Sequence, residues 1–256
     1  MRVPAADDAL GVLDRMTRIL EAFDQEDSGL RISELAVRAD LPKSTVSRLV
    51  STLVRQRYLE RDGRVIHLGL RLFELGQLAE QPRELRMASL PVMAELRNRT
   101  GENVHLAIRD GAEMVCIAVM RSPAAAAPVV RTGARLPVHA TALGKAALAH
   151  AVPAEVAEVL GSRLEACTPQ TITDPAELQR QLTDIRRGAL AAEVREFAAG
   201  VSCTAIAVFA PGGGPAGALS VSGGADRFDA DRVASAVRAA ATALSRRLAS
   251  AGAVSV

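Results

Sequence analysis

The feature that most constrains this chain is an ordered series of helix, turn and helix signals that begins at Ile32. Ser33 is a suitable N-cap for a short helix, and Ile32 and Val37 are spaced as a hydrophobic staple for it. Pro42 then disfavours helix in the residue before it, yet it suits the first turn of the next helix. From Lys43 to Gln56 apolar residues recur every three or four positions, which predicts an amphipathic helix. Together these signals predict a helix-turn-helix.

A short hairpin, or wing, is predicted after the second helix. Tyr58–Arg61 and Arg64–Leu68 have strand composition, and the Asp62-Gly63 pair between them is one that two-residue hairpin turns prefer. Upstream, an apolar stripe predicts one more helix that closes the small core, formed by Val12, Leu13, Met16, Ile19, Leu20 and Phe23.

Positive charge is concentrated in the same segment. Residues 41–71 hold seven Lys or Arg against two acids, whereas residues 1–40 hold five Arg and nine acids. The net charge of the whole chain is only +2, so nucleic-acid binding requires such a local patch.

The polar face of the second helix carries hydroxyl groups and cations without acids, which fits the major groove of double-stranded DNA. We expect base contacts from Ser44, Thr45, Ser47 and Arg48, and phosphate contacts from Lys43, Arg55, Arg61 and Arg64. The alternative is an ordinary amphipathic pair of helices whose basic face is only solvated.

Composition argues against several other classes of protein. Aromatic residues make up 2% of the chain, so a stacking platform for single-stranded nucleic acid is not expected. The three cysteines are far apart and form no C-x-x-C pair, which argues against a disulfide framework or a zinc knuckle. We find no apolar leader and no apolar run of about 18 residues, so we expect a cytoplasmic protein without a membrane segment or a cofactor.

We divide the chain into a winged helix-turn-helix over residues 1–68, a linker helix over 69–82 and a second domain over 83–256. The linker is apolar on more than one side and ends at Gln81-Pro82. We expect it to pack on a second subunit, which makes the protein a homodimer or tetramer; docking on its own chain is the alternative.

In the second domain, hairpins are followed by helices. Strands are predicted at 103–109, 113–120, 129–132, 205–209 and 216–222, and helices at 83–100, 142–149, 153–160, 175–187 and 229–249. This order predicts an antiparallel sheet with helices on its faces, and therefore an α+β fold.

A loop of small residues over Val138–Ala146 runs into one of these helices. Backbone N–H groups at such a helix start attract a carboxylate or a phosphate. The segment is not a nucleotide-binding P-loop, because His139 and Ala146 replace the Gly and the Ser or Thr of that motif. A plain loop-to-helix junction is the alternative.

Several segments resemble the IclR family of bacterial transcription regulators, in the order found in that family. They are Leu41–Leu49 with Tyr58–Arg61, and then Leu136–Ala146, Thr168–Asp174, Gly200–Cys203 and Leu219–Gly223. The resemblance extends from Ala9 to Leu248. It implies a GAF-like effector domain after the winged helix-turn-helix, and a regulator rather than an enzyme.

In this family the loop, the Gly-Val-x-Cys motif and the Ser-x-Ser-Gly strand line the effector pocket. By position, the resemblance implies an effector site at Ala142, Leu143, Glu193, Val201, Cys203, Ser220 and Ser222. Ser220 and Ser222 are two apart on a strand, so both hydroxyls face one side. Cys203 is expected as a small apolar wall rather than a nucleophile.

The chain departs from the family pattern beside this site. Glu193 stands where an Asp is common, and Ser202 replaces a usual Arg. The longer acid shortens the cavity and suits a ligand with hydroxyl or amine donors as well as a carboxylate. Some relatives hold a metal there, but His105, His139 and Cys203 lack metal-ligand spacing, so no metal is expected.

We therefore expect two copies to place their Lys43–Arg55 helices in the major groove of a roughly palindromic operator. A small effector, an organic acid or a related catabolite, is expected to change operator affinity. One rival is an enzyme in the second domain, which needs a paired nucleophile and base or two convergent carboxylates. Another is a structural DNA organiser without a ligand.

Overall fold

The computed structural model describes residues 11–24, 27–125 and 130–252, and the chain divides into two compact units between Glu80 and Gln81. Among these residues no helix is both long enough and apolar enough to cross a bilayer. The first unit contains α1 (Val12–Glu21), β1 (Leu30–Arg31), α2 (Ile32–Arg38), α3 (Lys43–Arg55), β2 (Leu59–Asp62), β3 (Val65–Leu68) and α4 (Leu70–Gly76).

One apolar face of α3 holds it in the first unit. Val46 and Leu53 of that face are buried together with Ile19 of α1, Leu35 of α2 and Ile66 of β3. Burial of each such side chain contributes about 1.5–3 kcal/mol. In the small antiparallel sheet of this unit, β3 lies between β1 and β2. The predicted winged helix-turn-helix is confirmed.

The start of α2 differs from the prediction. Its N-cap is Arg31 rather than Ser33, because Arg31 is extended in β1 and its backbone N–H donates to the Glu34 carboxylate at 2.7 Å. Val37 is 81% exposed and forms no staple with Ile32.

The first residues of α1 also lie outside the core. Val12 and Leu13 of the predicted stripe are 57% and 77% exposed, whereas Ile19 is fully buried. The apolar stripe of α1 therefore contributes to the core mainly through its second half.

The turn of the wing is shifted by one residue from the prediction. Asp62 pairs with Val65, so the two-residue loop consists of Gly63 and Arg64. Gly63 has a φ of +54°, which glycine adopts without a Cβ penalty, and glycine at the first loop position is typical of a type II′ turn. Arg64 therefore lies at the tip of the wing rather than in a strand.

The segment predicted as one linker helix forms parts of two helices. α4 ends at Gly76, and α5 (Glu80–Thr100) begins four residues later. Pro82 lies in the first turn of α5, where backbone N–H groups have no acceptor within the helix. Proline, which lacks this N–H, therefore loses no hydrogen bond there. Pro82 therefore helps to begin a helix instead of ending one.

The second unit is built on an antiparallel sheet with helices on both faces. After α5 it contains β4 (Asn103–Asp110), β5 (Glu113–Met120), β6 (Arg135–Pro137), α6 (Ala142–Leu148), α7 (Pro153–Gly161), α8 (Pro175–Arg186), β7 (Ala191–Val194), β8 (Val201–Phe209), β9 (Pro215–Gly224) and α9 (Ala230–Gly252). The described strands lie in the order β6-β5-β4-β9-β8-β7.

Two apolar cores lie on opposite faces of this sheet. Met93 of α5 and Val237 of α9 pack against Val221 of β9 on one face. Leu148 of α6 and Leu178 of α8 belong to the core on the other face. The predicted α+β architecture is confirmed.

The two edge strands of the sheet were not predicted. β6 and β7 have three and four residues, which is too short to show an alternating pattern. The strand predicted at Val129–Thr132 begins outside the described residues, and Val130–Thr132 is not a strand. β7 carries Glu193 and therefore matters for the site below.

Candidate functional site

The exposed face of α3 is cationic and carries hydroxyl groups. Lys43, Ser44, Arg48 and Arg55 are exposed, and Thr45 and Ser47 are half-buried at its edges. The three cations of this face form no ion pair or hydrogen bond with any residue that the structure describes. Their charge is therefore available for an external polyanion.

The wing adds two more cations. Arg61 of β2 and Arg64 of the turn are exposed, and neither guanidinium forms an ion pair or hydrogen bond with a described residue. The acid Glu60 is engaged nearby, since its carboxylate accepts the backbone N–H of Leu70 at 3.2 Å. The eight side chains predicted to meet DNA thus lie on α3 and on the wing of the same unit.

The second candidate site lies on the face of the sheet that α6 covers. Glu193, Cys203, Ser222 and Asn103 stand in one row across β7, β8, β9 and β4, each opposite the next. Strand alternation places Ser220 on the same face as Ser222. Asn103 was not predicted from the sequence as a site residue, because its place in the row follows only from the strand order.

α6 lies over this row and is buried along its whole length. Its N-cap is Thr141, whose hydroxyl accepts the Gly144 N–H at 3.1 Å and donates to the Pro137 carbonyl at 2.9 Å. A Cβ at Gly144 would lie 2.3 Å from the Cα and the carbonyl oxygen of Val138, so the helix is seated directly against the preceding loop. Ala142 and Leu143 are therefore held firmly next to the sheet.

Glu193 joins β7 to the start of α6. Its carboxylate accepts the Phe197 N–H at 3.1 Å and, more weakly, the Ala142 N–H at 3.4 Å. Burial raises the pKa of Glu193 to about 7, against the smaller lowering effect of these two hydrogen bonds. The acid thus occupies the helix start that a ligand carboxylate was expected to use, and near neutral pH it exists in both charged and neutral forms.

The Glu193→Gln variant should become more stable relative to the native protein as pH rises. The folded-state pKa of about 7 lies above the ordinary value of 4.5, so the stability that this carboxyl contributes is present at low pH and is lost as pH rises through 7. Glutamine cannot ionise, so the difference between variant and native protein should shift by about 1–3 kcal/mol between pH 5 and pH 8. Urea unfolding at both pH values measures it.

The matched control for this prediction is Glu158→Gln, at an exposed acid on α7. We expect the stability of that variant to follow the native protein at both pH values. The same stability difference between Glu193→Gln and the native protein at pH 5 and pH 8 would contradict the raised pKa of Glu193.

A buried ion pair that the sequence did not reveal fixes α6 to the segment after β7. The Lys145 side chain is fully buried, and its Nζ donates to both Glu196 carboxylate oxygens, at 2.7 and 2.8 Å, and to the Ala192 carbonyl at 3.2 Å. The Thr171 hydroxyl donates to the Glu196 carbonyl at 2.6 Å, and the Thr168 hydroxyl donates to the neighbouring Arg195 carbonyl at 2.6 Å. The one available signal was that Lys145 is one of two lysines among 31 cations.

The remaining predicted residues are placed less uniformly. Val201 is half-buried at the start of β8, opposite Gly224, and so lies beside the row, two residues along β8 from Cys203. Burial raises the pKa of the Cys203 thiol, which therefore stays protonated and suits a wall better than a nucleophile.

The His139 ring nitrogen Nε2 lies 2.9 Å from the Glu165 carbonyl oxygen instead of facing the row. Within the described ranges no three His, Cys, Asp or Glu side chains are grouped as metal ligands.

Two family models match successive parts of the chain. The model described as the IclR helix-turn-helix domain matches residues 12–63. The model described as the C-terminal domain of the bacterial transcriptional regulator IclR matches residues 78–246.

Curated relatives match over almost the whole chain. The transcriptional repressor AllR of Klebsiella pneumoniae is 32% identical over 236 residues, which are 91% of this chain and 86% of the relative. The transcriptional regulator XynR of Escherichia coli K12 is 32% identical over 242 residues, 92% of this chain and 96% of the relative.

Solved structures share the fold. An IclR homolog from Microbacterium hydrocarbonoxydans, complexed with 4-hydroxybenzoate, has a TM-score of 0.85 and 31% identity, and covers 93% of this chain and 99% of its own. The IclR protein of Thermotoga maritima has a TM-score of 0.77 and 27% identity, and the match covers 93% of this chain and 98% of the Thermotoga chain.

Proposed function

This chain belongs to the IclR family of bacterial transcriptional regulators, and on that premise we propose that it is a cytoplasmic, effector-controlled regulator whose operator affinity depends on a small organic acid. The observation that carries the proposal is the exposed face of α3, where Lys43, Arg48 and Arg55 have no partner among the described residues. An exposed helix that presents uncompensated cations and hydroxyls is suited to enter a major groove.

Two copies acting on a roughly palindromic double-stranded operator are part of this proposal. Leu70, Phe73 and Leu78 are 55%, 63% and 73% exposed in the single chain, and they lie in and just after α4. Apolar side chains of this size are expected to be covered by a second subunit. The proposed assembly is therefore a homodimer, or a tetramer built from two such dimers.

In this assembly Ser44, Thr45, Ser47 and Arg48 are proposed to read bases, and Lys43, Arg55, Arg61 and Arg64 to bind phosphates. The Arg48→Ala variant should bind its operator more weakly by about 1–3 kcal/mol, with a smaller loss on random DNA, because a guanidinium bonded to a base edge discriminates among sequences. Fluorescence anisotropy at one salt concentration, with an operator selected from random-sequence DNA, measures both affinities.

Arg55→Ala is the matched control on the same helix. As a phosphate contact it should lose affinity by a similar factor on both DNAs and should reduce the salt dependence of binding. Equal losses on the two DNAs for Arg48→Ala would instead make Arg48 a backbone contact.

The effector is proposed to bind between α6 and the sheet. Its proposed contacts are Ala142, Leu143, Glu193, Val201, Cys203, Ser220 and Ser222. The shared face of Ser220 and Ser222, next to Cys203, supports this location. So does the family relationship to the regulator that was solved with 4-hydroxybenzoate, a small hydroxylated acid.

The effector should act through differential affinity for two arrangements of the DNA-binding units, since only such a difference shifts an equilibrium. A small acid that raises the melting temperature of the protein should change its operator affinity by about 5–150-fold. A thermal-shift screen that includes 4-hydroxybenzoate, followed by anisotropy titrations with and without each acid that binds, tests this.

Stabilisation of the protein by an acid that never alters operator affinity would contradict the proposed coupling. Mass spectrometry of the acid after long incubation separates binding from turnover, and an unchanged acid supports regulation rather than catalysis.

A further inference from the structure

Two buried polar atoms lie on the sheet face beneath α6 without a well-formed hydrogen bond to any described residue. His105 of β4 and Ser220 of β9 are directly opposite each other, and they are 3% and 0% exposed. Neither His105 Nε2 nor Ser220 Oγ has a hydrogen-bond partner among the described residues. Buried polar groups in folded proteins are almost always hydrogen-bonded, so two unsatisfied groups at opposite positions of neighbouring strands indicate a missing polar partner.

The pair adjoins the proposed effector site. Ser220 is one of its members, and its hydroxyl interacts weakly with the Cys203 thiol, a poor hydrogen-bonding group that does not satisfy it. Ser222, two residues along the same strand, faces the same way and pairs with Asn103. His105 therefore lies beside the polar row on β4, two residues from Asn103 and on the side of the site away from Glu193.

The His105 imidazole and the Ser220 hydroxyl are suited to an uncharged polar group of a ligand. Burial lowers the pKa of His105 to about 4, so the imidazole is uncharged at physiological pH. An uncharged imidazole offers no charge to a carboxylate, whereas a hydroxyl both donates and accepts. One hydroxyl satisfies the ring nitrogen and the serine hydroxyl at the same time.

We propose that His105 and Ser220 form a hydroxyl-binding subsite at the β4 end of the effector site, so that the effector is an organic acid carrying a hydroxyl group away from its carboxylate. This inference rests on the effector site proposed above. Three strand spacings of about 4.8 Å separate β7 from β4, so the Glu193 and His105 ends of the site differ in position as well as in charge. A single ordered water between His105 and Ser220 is the competing occupant.

Isothermal titration calorimetry with 4-hydroxybenzoate and benzoate, which differ only by the hydroxyl, tests the subsite on the full chain. The native protein should bind 4-hydroxybenzoate at least about tenfold more tightly than benzoate, because the analogue leaves both protein groups unpaired. Ser220→Ala and His105→Leu should each remove most of that preference, because both variants lose more affinity for 4-hydroxybenzoate than for benzoate. Ser220→Ala is almost isosteric, so it keeps the test valid even where His105→Leu folds poorly.

A second measurement follows the imidazole itself. The chain has four histidines, so the His105 ring signals in an NMR spectrum are assigned by their loss in His105→Leu. 4-Hydroxybenzoate should shift these signals, and benzoate should not. Equal affinity for both acids, binding of neither acid, or His105 signals that ignore 4-hydroxybenzoate would overturn the subsite and favour a buried water.

Ser222→Ala separates failure of this inference from failure of the proposed function. It lies in the same site but outside the subsite, so it should weaken both acids by similar factors. Weaker binding in Ser222→Ala, together with an unaltered preference in Ser220→Ala, overturns the subsite and leaves the effector site standing. The effector role itself fails when no small acid changes operator affinity in the native protein.

Discussion

Replacement of Lys145 by Met should destabilise the protein by about 3–5 kcal/mol, because it leaves the Glu196 carboxylate buried without its cation. The Lys145 side chain is fully buried and its Nζ lies 2.7 and 2.8 Å from the two oxygens of Glu196. Methionine keeps a long apolar side chain of similar volume, so the change removes mainly the charge. Urea unfolding followed by circular dichroism measures the loss.

Two further variants separate the charge from other effects. The double variant Lys145→Met/Glu196→Leu should recover most of the lost stability, because no unpaired charge stays buried. Arg180→Met removes the cation of the exposed pair with Glu177 on α8 and should cost less than about 1 kcal/mol. A Lys145→Met variant that is no less stable than Arg180→Met would contradict our reading of the buried pair.

Gly144→Ala should be the second severe change, with a loss of about 3 kcal/mol in stability and a loss of the proposed effector binding. The added Cβ would lie 2.3 Å from the Cα and the carbonyl oxygen of Val138, and 2.6 Å from its carbonyl carbon. These are backbone atoms of a residue that is 1% exposed and whose N–H bonds to the Ala112 carbonyl, so no side-chain rotation relieves the clash. α6 has to move, and Ala142 at its start moves with it.

Gly161→Ala is the matched control for this prediction. Gly161 ends α7, and a Cβ there meets nothing within 4 Å. Because alanine is the better helix former, the change should be neutral or stabilising by up to about 1 kcal/mol. Urea unfolding gives both stabilities, and calorimetry with 4-hydroxybenzoate gives binding. Similar effects for the two variants would show that α6 has room to shift.

The elements that the sequence predicted well have strong local signals. α3 has a regular apolar stripe, and the hairpin of β4 and β5 has long apolar strands around a Gly-containing turn. Prediction failed where the signal was short or where a tertiary contact replaced a local one. β6 and β7 are too short for a pattern, and Arg31 became the cap of α2 because β1 pairs with β3.

The candidate effector site was predictable only in part. The resemblance placed Ser220, Ser222 and Cys203 in it, and the structure brings these residues to one face of the sheet. Lys145 and Glu196 are 51 positions apart in the chain, so no local pattern joins them. In the sequence His105 is an isolated histidine, because its pairing with Ser220 depends on β4 lying beside β9.

The amino-acid sequence alone was sufficient to establish the winged helix-turn-helix, its cationic face and the α+β character of the second unit. These properties depend on periodicity, turn residues and charge, which act over a few neighbouring positions. Only the tertiary structure decided that Glu193 occupies the start of α6, that Lys145 is paired with Glu196 inside the protein, and that His105 faces Ser220. Burial and strand order determine these contacts, because both depend on residues that are distant in the chain.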